Sequence, residues 1–160
     1  MTRTATVTKT VTAPATTTAG TTTSPTPPDP SARLSLQAAE QVLAGRGYSV
    51  LGERDWRPDQ PLKVLLGISD DPDAARAELA FLFVGDQFIG TDTKDPSGQI
   101  EVVAQGGDSV TLSYALYRPA DSVDDPTGGT AEVTYTWDGS RLTPQDPIPT
   151  ASPDAPLSRR

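Results

Sequence analysis

The sequence predicts an α+β domain: a mostly antiparallel β-sheet built of hairpins, with an N-terminal helix packed on one face. Three observations carry that expectation. One stretch, beginning at Ser35, spaces its apolar residues as a helix does. Most of the chain after it alternates with period two, the pattern of strands with one buried face. Gly-Asp and Asp-Gly pairs punctuate the alternation, and tight hairpin turns select such pairs.

The helix comes first. Ser35 is a suitable N-cap, and Leu36, Ala39 and Leu43 fall at i, i+3 and i+7, with Val42 beside them. Gly45 or Gly47 stops it. "YSVLGERDW" then reads as a short strand. "PLKVLLGIS" places Leu62, Val64, Leu66 and Ile68 on one face but Leu65 on the other, which predicts a strand buried on both sides. "DDPDAARAE" is one helical turn or a long loop, with Asp71 as its cap and Pro72 at the first helical position.

Three hairpins follow. "LAFLFV" and "QFIGT" flank Gly85-Asp86, and Gly at the first central position fits a type II′ turn. "QIEVVAQ" and "SVTLSYALYRP" flank "GGD". "TAEVTYTW" and "SRLTP" flank Asp138-Gly139, for which a type I′ turn is expected. Val110, Leu112, Tyr114, Val133, Tyr135 and Trp137 are expected to form one core face together with Leu36 and Leu43 of the helix.

Residues 1–31 are dominated by Thr and Pro, with almost no aliphatic and no aromatic side chain. Such a segment buries too little apolar surface to offset its chain entropy, so it reads as a disordered stalk or linker. Residues 32–148 form the single domain. Residues 149–160, "PTASPDAPLSRR", are expected to run on as a disordered C-terminal tail.

The chain carries a net charge of −8, with 21 Asp and Glu against 13 Lys and Arg. That balance argues against nucleic acid, whose binders need a cationic patch, and against adsorption to anionic lipid. The chain has no His and no Cys. The usual Ser-His and Cys-His catalytic pairs, the common zinc and haem ligands, and any disulfide are therefore missing. No apolar run approaches the ~20 residues of a membrane-spanning helix, so this chain is expected to be soluble and to meet a membrane only through an anchor outside it.

Several strings recur in order in a known family. "AFLFVGDQFIGTDTKDPSGQIEVV" and "SVTLSYALYRPADSVDDPTGGTAEVTYTWDGSRLTPQDPIP" resemble the LppP/LprE family of actinobacterial lipoproteins. The shared features are the Phe81 and Phe83 strand, "GTDT" at Gly90 to Thr93, "YALYRP-x-D" at Tyr114 to Asp121, "P-[ST]-GG" at Pro126 to Gly129, and Ile148-Pro149. The resemblance covers about residues 35–149. It implies a domain outside the cytoplasm, tethered to the outer face of the cell membrane by a lipid or by an upstream transmembrane segment. It implies no particular chemistry. The chain departs from the family at two points: Asp124-Asp125 stand where the loop of relatives commonly has adjacent cysteines, and there is no lipobox cysteine.

Two groups of residues are candidate sites. Asp121, Asp124 and Asp125 share one loop and offer hard oxygen ligands suited to Ca²⁺. Their spacing does not match a calcium loop, and short acidic residues also favour turns by bonding their own backbone. Tyr117 and Arg118 form the second group. Tyr117 alternates away from the core-facing tyrosines and is expected to be exposed, as part of a ligand or partner surface. Arg118 pairs with an anion or with the loop acids. The expected function is a non-catalytic envelope domain, without a cofactor, that binds a protein partner or a cell-wall component. The alternative is a calcium-responsive or carboxylate-based hydrolytic module.

Overall fold

The computed structural model describes residues 34–160; the stalk expected at residues 1–31 lies outside them. The helix α1 (Leu36–Ala44) is capped by Ser35, whose side chain accepts from the Ala38 amide. Eight strands follow: β1 (Tyr48–Gly52), β2 (Leu62–Ser69), β3 (Glu78–Val84), β4 (Gln87–Thr91), β5 (Ile100–Gly106), β6 (Ser109–Ala115), β7 (Thr130–Trp137) and β8 (Leu142–Pro144). They pair antiparallel throughout. They divide into two four-stranded meanders, β1-β2-β3-β4 and β5-β6-β7-β8.

The two sheets pack face to face. Leu62, Val64 and Leu66 of β2 and Ala80, Leu82 and Val84 of β3 meet Val110, Leu112, Tyr114, Val133 and Tyr135 of the second sheet in one core cluster. The alternate residues of β2 and β3 point the other way. Leu65, Leu79, Phe81 and Phe83 form a second cluster with Ala39 and Leu43 of α1. The molecule is therefore layered helix–sheet–sheet, and the first sheet is covered on both faces. This accounts for the nearly unbroken apolar runs of β2 and β3.

The core expected to be shared by the helix and β6 and β7 does not form. Leu36 and Leu43 belong to the outer cluster, not to the face formed by Val110, Leu112 and Tyr114. Period two identifies which residues share a face, but not which element covers it. The helix reaches its sheet over Gly67, where an added Cβ would lie 2.9 Å from the Phe81 ring and 3.0 Å from Leu43.

Of the three turns, the one at Gly85 matches the type expected. Gly85 has φ 60° and Asp86 is not in the positive-φ region, as type II′ requires. The Asp138-Gly139 turn differs. A type I′ turn needs positive φ at both central residues, and here only Gly139 has it, at 95°. Trp137 pairs with Leu142, and Asp138 Oδ1 gathers the amides of Ser140 (2.9 Å) and Arg141 (2.7 Å) into a longer, side-chain-organised loop. "DDPDAARAE" forms turns rather than a helix.

The C-terminal segment also departs from expectation. Ser158 and Arg159 are buried, and Ser158 bridges to Tyr117 through N–O distances of 2.6 and 3.0 Å. Arg159 is 4 % exposed, and its guanidinium enters a cage of oxygens. It donates to the carbonyls of Asp95 (2.6 Å), Pro96 (3.1 Å) and Pro149 (3.0 Å) and to Ser97 Oγ (2.8 Å). A proline-rich composition signals the lack of a local regular element. It does not exclude capture by distant backbone.

Candidate functional site

Four segments converge at one end of the sandwich: residues 70–77 between β2 and β3, residues 92–99 between β4 and β5, the β6–β7 loop, and the C-terminal segment. Between them lies a cleft of about 510 Å³. Its walls include the small apolar residues Ala74, Ala75, Ala77 and Pro96, and three arginines, Arg76, Arg118 and Arg160, edge it. Asp71 and Asp121 also line it, but each is engaged with its own loop. Asp71 Oδ1 accepts from the Asp73 amide at 3.0 Å.

Tyr117 and Arg118 both line this cleft, as a ligand surface would require, but Tyr117 is buried rather than exposed, at 5 %. Two features bury it. Gly98 has no side chain, and a Cβ there would sit 2.6 Å from the Tyr117 hydroxyl, so the ring lies flat on that backbone. The Ser158 bridge then covers the strand beside it. The Tyr117 hydroxyl donates to the Val123 carbonyl at 3.0 Å, and burial pushes its pKa up.

The acidic loop is organised by one carboxylate. Asp121 Oδ2 accepts from the amides of Arg118 and Thr127, both at 2.8 Å, and Oδ1 from Thr127 Oγ1 at 2.8 Å. Those backbone bonds hold its pKa below the usual carboxylate range. Arg118 Nη1 donates to Thr127 Oγ1 at 2.8 Å and to the Thr127 carbonyl. It therefore braces the loop instead of pairing with Asp124 or Asp125, which are exposed. Gly128 passes so close to Leu116 that a Cβ would be 2.5 Å from its carbonyl oxygen, and Gly129 has φ 84°, which explains the Gly-Gly pair. Among the described residues, no group of three or more acidic side chains is gathered to hold a metal ion.

Besides Arg159, sequence reasoning missed three buried charged groups. Glu78 is fully buried; its Oε1 meets Arg76 Nε at 2.5 Å and its Oε2 accepts from the Ile100 amide at 2.8 Å, which ties the two sheets together. Lys63 is fully buried and donates from Nζ to the Gly85 carbonyl at 2.9 Å; burial lowers its pKa, against Asp86 and Asp59 nearby. Asp92, from "GTDT", sits between the sheets. Its Oδ1 accepts from the Ala80 amide at 2.9 Å and its Oδ2 from the Tyr114 hydroxyl at 2.7 Å. Tyr114 in turn meets the Tyr135 hydroxyl at 2.8 Å. Burial raises the pKa of Asp92 against these hydrogen bonds, and it pushes Tyr135 up to about 12. The only sequence signal for Asp92 was its place in a string shared with relatives.

The model of the LppP/LprE lipoprotein family matches residues 54–140, from just after β1 to the turn before β8. The chain belongs to the LppP/LprE lipoprotein family. The matched segment contains Glu78, Asp92, Tyr114, Tyr117 and the whole of the Asp121-centred loop. Membership implies a lipoprotein domain associated with the cell envelope. No curated protein and no solved structure matches the chain. Among the described residues, no helix is long and apolar enough to cross a membrane.

Proposed function

We propose that this chain is a non-catalytic extracytoplasmic domain, tethered to the outer face of the cell membrane, that binds a protein partner or a cell-wall component through the arginine-edged cleft. The observation that carries this reading is the gathering of arginines at one cleft; Arg76 among them is paired with the buried Glu78. In a chain of net charge −8, three arginines border one concavity with a small-residue wall. Small residues let a partner approach closely, and cations at the rim favour an acidic segment and speed its encounter. The family description and the stalk-like composition of residues 1–31 support the tether. The engagement of Asp71 and Asp121 with their own loops supports a binding role over a hydrolytic one, because neither is left to act as a general acid or base.

The test uses the full chain and two fluorescent peptides, oligo-glutamate and oligo-lysine. Anisotropy should rise with oligo-glutamate alone, should fall with added salt, and the peptide should be recovered uncleaved. Ala75 is exposed on the cleft wall, so Ala75→Glu places a carboxylate among the arginines without disturbing the core. That change should weaken binding about tenfold. Equal binding of both peptides, or no effect of Ala75→Glu, would sink the proposal.

A further inference from the structure

The sandwich has a second concavity that shares no residue with the arginine-edged cleft. It lies along the edge where β4 of one sheet faces β7 and β8 of the other, and it holds about 430 Å³. Trp137, Ile89 and Leu142 give it an apolar wall, and all three are only partly buried. Thr91, Ser140 and Arg141 contribute polar groups, and Asp92 and Tyr135 reach its wall from inside the core.

The polar chain behind this wall restricts the ligand. Tyr114 has one hydroxyl proton and contacts both Asp92 and Tyr135. When Asp92 is ionised, that proton goes to the carboxylate, Tyr135 donates to Tyr114, and the outer oxygen lone pairs accept. When Asp92 is protonated, the chain can run the other way. Tyr135 is only 1 % exposed, so the groups that open to the cleft are Asp92, at 6 %, and the more exposed Thr91, Ser140 and Arg141. A ligand hydroxyl both donates and accepts, so it suits either direction. Asp92 and Arg141 carry opposite charges on the same cleft and offset one another, so the cleft favours neither an anion nor a cation. An indole wall beside such groups favours a ring with an apolar face and a polar edge.

We infer that the β4–β8 cleft binds a neutral, hydroxyl-bearing ring of the saccharide class, packed on Trp137 and hydrogen-bonded at the edge formed by Thr91, Ser140 and Arg141. The site is independent of the arginine-edged cleft and of the partner proposed for it. A volume of this order accommodates one or two sugar rings.

The chain has two tryptophans, which gives the test an internal control. Trp56 packs edge-on against Phe83, 5.9 Å away, in the outer cluster with the helix. The full chain is titrated with two neutral trisaccharides, tri-N-acetylchitotriose and maltotriose, while the two indole N–H resonances and the heat of binding are followed. At least one trisaccharide should shift the Trp137 signal saturably and leave that of Trp56 in place. Arg141→Ala removes an exposed hydrogen-bond donor at the cleft edge, and it should weaken binding about tenfold, the order of one lost hydrogen bond. Trp137→Phe, read by calorimetry, should weaken it as well. Ala75→Glu should leave it unchanged. The inference is overturned if neither trisaccharide shifts Trp137 saturably, if both tryptophan signals move together, if the folded variants bind as the parent does, or if Ala75→Glu weakens trisaccharide binding.

Discussion

Asp92 and Asp121 invite comparison because their local chemistry is nearly the same. Each carboxylate takes backbone amides on one side and a hydroxyl on the other: Ala80 and Tyr114 for Asp92, and Arg118, Thr127 and the Thr127 hydroxyl for Asp121. Their pKa values nevertheless move in opposite directions. Asp92, between two sheets, is raised because burial penalises its charge more than the hydrogen bonds reward it. Asp121, on a loop in water, is lowered because it has the hydrogen bonds without that penalty. The count of hydrogen bonds therefore does not set the charge state of a carboxylate. Its access to solvent does.

The largest effect that would sharpen this contrast is Asp92→Ala. It strands the Ala80 amide in the core and leaves the Tyr114 hydroxyl with Tyr135 as its remaining partner, and it should cost about 3 kcal/mol in urea unfolding. A loss well under about 1 kcal/mol would mean that water enters and satisfies those groups. The next effect is in pH dependence. The folded state holds the Asp92 proton more tightly than the unfolded chain does. Its stabilising share is therefore complete below the ordinary Asp value, about 3.9, and is lost as pH rises through the elevated folded value. Asp121 is the reverse: its share is present above the ordinary value and is lost as pH falls through the depressed one. Melting temperatures across a pH series should show Asp92→Asn flattening the decline as pH rises above the ordinary Asp value, and Asp121→Asn the decline as pH falls below it. If both variants flattened the same limb, the comparison would be broken.

Asp121→Ala should act locally. Hydrogen exchange should speed at the Arg118 and Thr127 amides, with the amides of β6 and β7 unchanged; spreading of the effect into the strands would show that the loop anchors the sheet. The smallest expected effect is that of calcium. Asp124 and Asp125 stand exposed beside a carboxylate already engaged with its loop, so millimolar Ca²⁺ should move the melting temperature no further than Mg²⁺ does. A calcium-specific rise that disappears in Asp124→Asn/Asp125→Asn would restore the metal reading.

The same physics explains what could be read from the sequence. Short-range rules worked where the structure is decided at short range. Ser35 caps α1, Gly85-Asp86 turns a hairpin, and β6 and β7 present alternate residues to the core. They failed where distant chain decides. Nothing near Leu43 indicates which sheet face the helix covers, although the two-sided burial of β2 was a clue that something covers that sheet. Tyr117 alternates as an exposed residue should, and is buried by Gly98 and Ser158, which lie far from it in sequence. Asp138-Gly139 resembles a two-residue turn, but the aspartate side chain recruits Ser140 and Arg141 into a wider one. Neither cleft was legible, because each is assembled from several separate segments.

The Arg159 cage also bears on the order in which the domain folds. Its carbonyls come from residues 95, 96 and 149, so the first two are separated from the arginine by more than sixty positions. Contacts across such spans cost loop entropy before they return any stabilisation, and they form late. Both meanders pair between neighbours in sequence and can close before residue 159 is in place. The rim of the arginine-edged cleft cannot, because Tyr117 bridges Ser158 and Gly98 bonds the Arg159 carbonyl. In pulse-labelled refolding, the amides of Gly98 and Tyr117 should gain protection after those of the central strands. The end that carries this cleft is then the last part of the domain to be built, and it is completed by a segment that reads, by composition, as a loose tail.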